Sequence, residues 1–474
     1  MQKNVVADLF ARAAEYAAEF RATLPKRVQR PQQTYAQALA SFDAPTPESG
    51  TAAPAVLEEL VALATPGLHA MAGPRFFGWV IGNSHPMGVA ADFLASAWGQ
   101  NVGNHTASPA AAACETVAAR WLLDMLDLPS DASVGFTTGA TIANFVGLAA
   151  ARSELLRRLD WDVEAKGLYG APEIKVLVGA EAHITVLTGL QFLGFGRDRV
   201  IRIPVDAQGA ILPEALAMAM RDAAQDPGVI VVTQAGQLNT GAFDPHAKII
   251  AQARQHRNVW VHVDGAFGLW ARACPTRSAL AAGVEFADSW ATDGHKWLQT
   301  PYDCGFAIVS DAEAHRRAMT IAASYLPPVS LGERDPSHFV PELSRRARGF
   351  GAWAMLRHLG RDGIAAMIER HCRYAWMLAE RLREEKGIAI LNEVVLNQVI
   401  VRFGADLSPE AGDAATAQTV AAIQRDGTCF AGTAQWQGRT VMRLSVIGGS
   451  TAENDVLRSA EAMIKAWRGV HAMV

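Results

Sequence analysis

The chain has 474 residues, half of them hydrophobic, which suffices for a large core and more than one domain. A formal net charge of -4 and the lack of a long basic stretch argue against nucleic-acid binding. No apolar run is long enough to span a bilayer, and the start of the chain lacks the layout of a signal peptide. Five cysteines without metal-ligand spacing predict a reduced, cytoplasmic protein without a metal site.

Three zones follow one another along the chain. Residues 1–75 are rich in helical patterns but too poor in apolar groups for a core of their own, so they are expected to pack on another part of the protein or on a second subunit. Residues 76–330 alternate short apolar runs with helix-length segments, which predicts a large α/β domain with a mostly parallel central sheet. Residues 331–474 combine long helices with antiparallel-looking strands, which predicts a small α+β domain.

Seven apolar runs in the middle zone are predicted as strands. They read SVGFTT, IKVLVG, RVIRIPV, GVIVVTQ, NVWVHVD, DSWAT and CGFAIVS. Ligands of open parallel sheets bind at the carboxyl ends of the strands. Polar residues that directly follow one of these runs are therefore the candidates for a functional site.

Two of these runs are followed by candidate ligand-binding residues at a helix start. The segment SVGFTTGATIANF places Gly139, Ala140 and Thr141 between a strand and a helix, where free amides and the helix dipole attract an anion. An ordinary helix cap would use the same residues. His183 follows IKVLVG and either caps the next helix or stacks on a flat ligand.

Two further runs end near a buried acid and a lysine. Asp264 ends NVWVHVD, where a carboxylate is costly unless it meets a cation or caps the next loop. His295 and Lys296 lie on a turn between two core strands, and a lysine is rarely buried unless it is paired or reacts. Pyridoxal phosphate requires this combination, because its phosphate needs amide donors, its ring nitrogen an acid and its aldehyde a lysine amine.

The same motifs resemble the group II pyridoxal-phosphate decarboxylases, such as the aromatic-L-amino-acid, histidine and glutamate decarboxylases. The resemblance runs from about Pro74 to Trp353, and more faintly to the C-terminus. It is carried by FTTGATIANFVGLAAAR, EAHITV, HVDGAFG, DGHKW and ELSRRARGFGAW. It implies the type I, aspartate-aminotransferase-like fold and a homodimer, with residues 1–75 as a dimerisation segment and the sites at the subunit interface. It also implies that Lys296 binds the cofactor aldehyde, that Asp264 pairs with the ring nitrogen and that His183 stacks on the ring. Gly139, Ala140, Thr141 and His295 are implied to help bind the cofactor. Tyr325, on a loop, is implied to return a proton to the α-carbon.

Some positions depart from the family pattern. Asp293 stands where the animal aromatic enzymes carry asparagine, and it either contacts the phosphate or orients His295. Gln237 and Asn239 replace a threonine cluster, within reach of the cofactor hydroxyl or the substrate carboxylate. The candidates for substrate binding are Phe76, Phe77, Trp79 and His105, and the three aromatic residues among them could equally be core.

The reaction predicted from this set is decarboxylation of an L-amino acid, with an aromatic side chain as one candidate. A carbon–carbon lyase acting on a β-hydroxy amino acid is the alternative, because the same cofactor breaks whichever bond stands perpendicular to its ring. An aminotransferase is disfavoured, because we find no site for a second keto acid. A relative without chemistry that acts as a binding scaffold is also disfavoured, because Asp264 and Lys296 are both present.

Overall fold

The structure is a computed structural model that describes residues 3–320 and 333–472. The α-helices in these ranges are α1 (Lys3–Thr23), α2 (Tyr35–Phe42), α3 (Ala53–Ala64), α4 (Pro86–Trp98), α5 (Pro109–Met125), α6 (Ala140–Arg157), α7 (Val163–Lys166), α8 (Ile184–Phe192), α9 (Pro213–Asp222), α10 (His246–Ala253), α11 (Ala312–Met319), α12 (Arg348–Arg383), α13 (Pro409–Asp426) and α14 (Glu453–His471). The strands are β1 (Ser133–Thr137), β2 (Ile174–Gly179), β3 (Ile201–Ile203), β4 (Gly228–Gln234), β5 (Val259–Asp264), β6 (Ser289–Asp293), β7 (Gly305–Val309), β8 (Ile388–Ile390), β9 (Gln398–Phe403), β10 (Gly432–Trp436) and β11 (Arg439–Ser445).

A seven-stranded sheet has the order β1-β7-β6-β5-β4-β2-β3. Neighbouring strands from β6 through β3 pair in parallel, whereas β7 is antiparallel to both β1 and β6. Each of the seven predicted runs overlaps one of these strands, and six of them contain the whole strand, whereas β6 extends one residue past DSWAT. The α/β prediction with a mostly parallel sheet is therefore confirmed. The register places Gln234, Asp264 and Ala291 side by side, so the ends of three strands lie at one edge.

The central strands are buried on both faces because their residues are almost all apolar. Every residue of β5 is buried, as are the first six residues of β4, which is typical of a parallel sheet covered by helices. Small side chains let α6 pack closely: Ala149, Ala150 and Ala151 belong to the same core cluster as Val232 and Trp260. This packing fixes the start of α6 relative to the strands that carry the candidate site residues.

The chain forms two compact units that are discontinuous in sequence. The first contains Met1–Trp79, Trp376–Leu391 and Ile400–Val474, and the second contains Val80–Ala375 and Asn392–Val399. Residues 331–375, which the sequence pattern assigned to the small domain, therefore cluster with the seven-stranded sheet wherever the structure describes them. The boundary between the two units at Ala375 and Trp376 falls inside the long helix α12. This helix is interrupted at Gly360, where φ is 60°.

The second sheet has the order β10-β11-β9-β8, and the pairs β10–β11 and β8–β9 are antiparallel. Helix α13 lies between β9 and β10 in the sequence and α14 follows β11, and each helix buries part of its side chains. The prediction of antiparallel strands and helices towards the end of the chain is thus confirmed.

The helices near the start of the chain expose apolar side chains. None of the residues of α2 and α3, all of which the structure describes, is buried. The exposed apolar residues of α1 to α3 are Val5, Phe10, Tyr35, Leu39, Phe42, Val56 and Leu60. Among the described helices, none has the length and apolar character needed to cross a membrane.

Candidate active site

The candidate residues gather at the carboxyl edge of the parallel strands in the second unit. Asp264 ends β5 and Asp293 ends β6, and the turn after β1 leads into α6 at Ala140. The loop from 294 to 304, which carries Lys296, joins β6 to β7. The sheet thus brings residues that are far apart in sequence to one place, as the strand-end rule predicts.

Lys296 is held by a carboxylate on its own turn. Its Nζ lies 3.0 Å from Asp293 Oδ2, and the side chains of the two residues are 14% and 3% exposed. Its carbonyl accepts a hydrogen bond from the Gln299 side chain at 2.9 Å. The amine is therefore largely shielded from water, paired and held at the end of the strand, while its role as a reactive lysine stays a prediction.

The turn before α6 is closely packed around Asp293. The Ala140 N–H donates to Asp293 Oδ1 at 2.6 Å. A Cβ on Gly139 would lie 3.0 Å from His295 Cε1 and 3.2 Å from Asp293 Oδ1, and a Cβ on Gly305 would lie 2.5 Å from Gly139 Cα. These two glycines keep the turn narrow, and a side chain at either position would displace it. Thr141 follows in the first turn of α6 and is half-buried.

Asp264 is a carboxyl group at the end of a fully buried strand, and it is 3% exposed. Burial raises its pKa, and the positive charges of His183 and Lys296 act in the opposite direction. The Ala266 N–H donates to its Oδ1 at 3.3 Å. A cationic partner placed next to Asp264 would favour the ionised form further.

His183 caps the start of α8 and is half-buried. Its Nδ1 lies 2.8 Å from Thr185 Oγ1, and the Thr185 N–H donates to the same nitrogen at 3.4 Å. The Asn144 amide donates to Thr185 Oγ1 at 3.2 Å, which ties this cap to α6. The ring is therefore oriented by Thr185 at the start of α8 and, through this threonine, by Asn144 of α6.

His295 connects the lysine turn to β7. The Cys304 N–H donates to its Nδ1 at 3.3 Å, and its Nε2 lies 3.5 Å from Asp293 Oδ1. Burial lowers the pKa of His295, and the nearby Asp293 charge acts against this. Because Nδ1 accepts a hydrogen bond, a neutral ring carries its proton on Nε2, which faces Asp293.

Gln237 folds back on its own loop. Its Oε1 accepts hydrogen bonds from the Asn239 N–H at 2.5 Å and from the Thr240 N–H at 3.0 Å. Its Nε2 donates to the Glu181 carbonyl at 3.4 Å, two residues before His183. Gln237 and Asn239 are both buried, and this loop follows β4, next to the end of β5. Their predicted roles in cofactor binding stay predictions.

His105 lies in the second unit between two carboxylates. Its Nδ1 is 2.6 Å from Asp335 Oδ1, and its Nε2 is 3.2 Å from Glu333 Oε2. The hydrogen bond with Asp335 raises the pKa of His105. Its ring nitrogens are thus engaged by the protein, while its predicted role in substrate binding stays a prediction.

The remaining candidates lie in the first unit or outside the described residues. The Phe76 ring stacks on Phe430 at 5.0 Å between centroids, and the Trp79 ring lies 4.8 Å from the same phenylalanine. Phe77 is fully buried, whereas Trp79 is 44% exposed. Tyr325 falls outside the described residues.

Two features of the site were missed from the sequence. The contact of Asp293 with Lys296 was not predicted, although the spacing of three residues on a turn was a usable signal. The Tyr302 ring lies 4.4 Å from the His295 ring, and Tyr302 is 56% exposed. Its proximity to Lys296 in the segment TPYDCG was the only sign of it.

Comparison with known proteins gives a consistent picture. The family model described as the pyridoxal-dependent decarboxylase conserved domain matches residues 35–403. The L-2,4-diaminobutyrate decarboxylase of Rhizobium meliloti (strain 1021) is 31% identical over 430 residues, covering 88% of this chain and 83% of that protein. The aromatic-L-amino-acid decarboxylase of Cavia porcellus is 32% identical over 387 residues, covering 75% of this chain and 77% of that protein.

The fold has close matches among solved structures. The crystal structure of Oryza sativa TDC with PLP and tryptamine superposes with a TM-score of 0.92 at 24% identity and covers 99% of both chains. The crystal structure of mouse CSAD superposes with a TM-score of 0.88 at 21% identity and covers 98% of both chains. At these identities the likeness concerns the fold.

Proposed function

Because the chain belongs to the pyridoxal-dependent decarboxylase family, we propose that Lys296, Asp264 and His183 form its reaction centre. The family match confirms the resemblance read from the sequence motifs. The protein is an amino-acid decarboxylase, a carboxy-lyase with pyridoxal 5'-phosphate as cofactor. The observation that carries the residue assignment is that the buried Asp264 ends β5 at the same sheet edge where the neighbouring β6 leads into the turn with Lys296.

The residues present fit this cofactor. The narrow turn at Gly139 and the start of α6 suit a phosphate group, and the buried Asp264 suits a ring nitrogen. When bound, the cofactor supplies an electron sink for the bond that breaks. The residues proposed to hold it are Gly139, Ala140, Thr141, His183, Gln237, Asn239, Asp264, His295 and Lys296.

Each residue has a proposed task. Lys296 supplies the amine that anchors the cofactor aldehyde. Asp264 keeps a proton at the ring nitrogen, and His183 covers one face of the ring. Tyr325 is proposed to return a proton to the substrate α-carbon, because a phenol is protonated at neutral pH. This assignment rests on its position in the family pattern, 29 residues after Lys296.

We propose an aromatic L-amino acid as the first substrate to test. The support is the aromatic segment around Phe76, Phe77 and Trp79, together with relatives that are named aromatic-L-amino-acid decarboxylases. The 31% identical relative from Rhizobium meliloti is named for L-2,4-diaminobutyrate, so a diamino acid is the second candidate. His105, which lies between two carboxylates, is the polar residue proposed to contact the substrate.

We also propose a homodimer in the cytoplasm. The exposed apolar residues of α1 to α3 suit a partner surface, as do Met87, Phe93, Leu94 and Trp98 on α4. A second copy of the chain would cover both sets, and the family pattern places the site at the subunit interface. The proposed compartment is supported by five free thiols.

Two measurements test the proposal. Purified protein incubated with pyridoxal phosphate should absorb in the visible, and borohydride should link the cofactor to Lys296, with Lys175→Ala as a control that leaves the adduct unchanged. Peptide mapping that places the adduct on another lysine would overturn the assignment. A panel of aromatic, diamino and acidic L-amino acids, with carbon dioxide and amine both measured, then identifies the substrate class.

A further inference from the structure

The turn proposed to bind phosphate already contains a negative charge that belongs to the protein. Asp293 Oδ1 accepts the Ala140 N–H at 2.6 Å, at the first residue of α6. Its other oxygen pairs with Lys296 Nζ at 3.0 Å. Asp293 and Ala140 are 2% and 8% exposed, so water does not weaken either contact much.

A carboxylate in this position satisfies the same groups that attract a phosphate. The free N–H groups and the dipole at a helix start favour an anion, and a hydrogen bond between an amide and a carboxylate is of the strong, charge-assisted kind. A lysine ammonium is the second natural partner of a phosphate, and Asp293 neutralises it here. The contact with His295 Nε2 is longer, at 3.5 Å, so orienting His295 is not the main task of Asp293.

We propose that Asp293 is a built-in competitor for the phosphate site. In the cofactor-free protein it fills the turn at Ala140, and any incoming phosphate must displace it and then bind beside its charge. The consequence is a low affinity for free inorganic phosphate, so that retention of the cofactor depends on its bond to Lys296 and on its ring contacts. This inference rests on the proposed function, in which the turn at Gly139 binds phosphate, and it adds that Asp293 lowers the affinity of this turn for phosphate.

The test measures the affinity of the cofactor-free protein for inorganic phosphate by titration calorimetry at constant ionic strength. Asp293→Asn keeps the shape of the side chain and its oxygen acceptor but removes the charge. We expect it to bind phosphate at least about tenfold more tightly than wild type, because a charge at hydrogen-bond distance is removed. Asp303→Asn is the matched control, since Asp303 lies on the same loop but pairs with Arg348 and is 42% exposed. It should bind phosphate as wild type does.

Equal phosphate affinity in Asp293→Asn and wild type would overturn the inference, and so would weaker binding in the variant. If Asp293→Asn does not fold, Asp293→Ser replaces it in this test, because the shorter side chain leaves the Ala140 N–H without its carboxylate acceptor and also removes the charge. The borohydride experiment separates this inference from the proposed function. Cofactor linked to Lys296 together with an unchanged phosphate affinity refutes only the competitor role, whereas cofactor linked elsewhere refutes the site itself.

Discussion

Replacing Asp264 with asparagine is expected to leave the fold and cofactor binding intact while turnover falls by about 100- to 5000-fold. The asparagine oxygen can still accept the hydrogen bond that the Ala266 N–H donates at 3.3 Å. The substitution removes one buried negative charge, which lies within reach of the charges of His183 and Lys296. The ring nitrogen would then lose the acid that keeps it protonated.

The size of the expected loss in turnover follows from the burial of Asp264. Asp264 is 3% exposed, so water screens its charge weakly. Breaking a buried charge pair costs roughly 3–5 kcal/mol, and each 1.36 kcal/mol added to a barrier slows a reaction about tenfold. If most of that cost appears in the chemical step, the expected loss in kcat is about 100- to 5000-fold, with a smaller change in cofactor content.

The assay measures carbon dioxide release at saturating substrate, with cofactor absorbance and thermal unfolding recorded on the same samples. Asp311→Asn is the matched control, because Asp311 caps α11 and asparagine caps a helix equally well. Asp311 follows β7, which runs opposite to β6, so it lies at the other edge of the sheet. Turnover of Asp264→Asn within a few-fold of wild type, with full cofactor content, would show that Asp264 does not face the ring.

Three further predictions concern the loop tyrosine, acid stability and assembly. Tyr325→Phe should retain cofactor but lose amine formation. Dissolved O2 is then expected to oxidise the carbon that is no longer protonated, so aldehyde, ammonia and hydrogen peroxide should appear instead, and an unchanged amine yield would refute the proton-donor role. Burial lowers the pKa of His246 from 6.5 to about 3. Below pH 6.5 this histidine is therefore protonated in the unfolded chain but stays neutral in the folded chain. The free energy of unfolding falls as the pH drops from 6.5 towards 3 for this reason. Within the described part of the chain neither ring nitrogen of His246 has a hydrogen-bond partner, so His246→Leu should reduce the loss of unfolding free energy between pH 7.5 and pH 5 by about 2 kcal/mol. Urea unfolding at both pH values measures this, and equal losses in the two proteins would contradict it. Leu39→Glu and Trp98→Glu place charges on exposed apolar surfaces and should shift the protein from dimer to monomer in sedimentation, whereas a dimer unchanged in both variants would rule out these surfaces.

The strands and the edge that carries the site were predictable from the sequence, because both depend on local pattern. Apolar runs of strand length, each followed by polar residues, define where β4, β5 and β6 end, and the parallel arrangement then brings those ends together. Asp264 and Lys296 could be assigned to one edge for this reason alone. Their separation in sequence does not matter once the strand order is known.

Other contacts depend on how distant segments meet, and no local pattern encodes them. Arg345 pairs with Glu115 at 2.9 Å across 230 positions, and both are fully buried. Phe430 joins the ring cluster of Phe76 from the far end of the chain. The contact of Asp293 with the Ala140 N–H, across 153 positions, was equally hidden, because it depends on how the start of α6 packs against the end of β6.

The antiparallel strand β7 has a consequence for protein engineering. It carries the chain from the edge where β6 ends back across the sheet, and the N–H groups of Gly294 and His295 both donate to the Cys304 carbonyl, at 3.0 and 3.1 Å. The loop that carries Lys296 is thus tied at its two ends, and Gly305 presses on Gly139 next to it. Insertions or deletions in this loop would move Lys296 and the turn at Gly139 together. Directed evolution towards new substrates should therefore keep the length of the loop and vary only the exposed side chain at Tyr302.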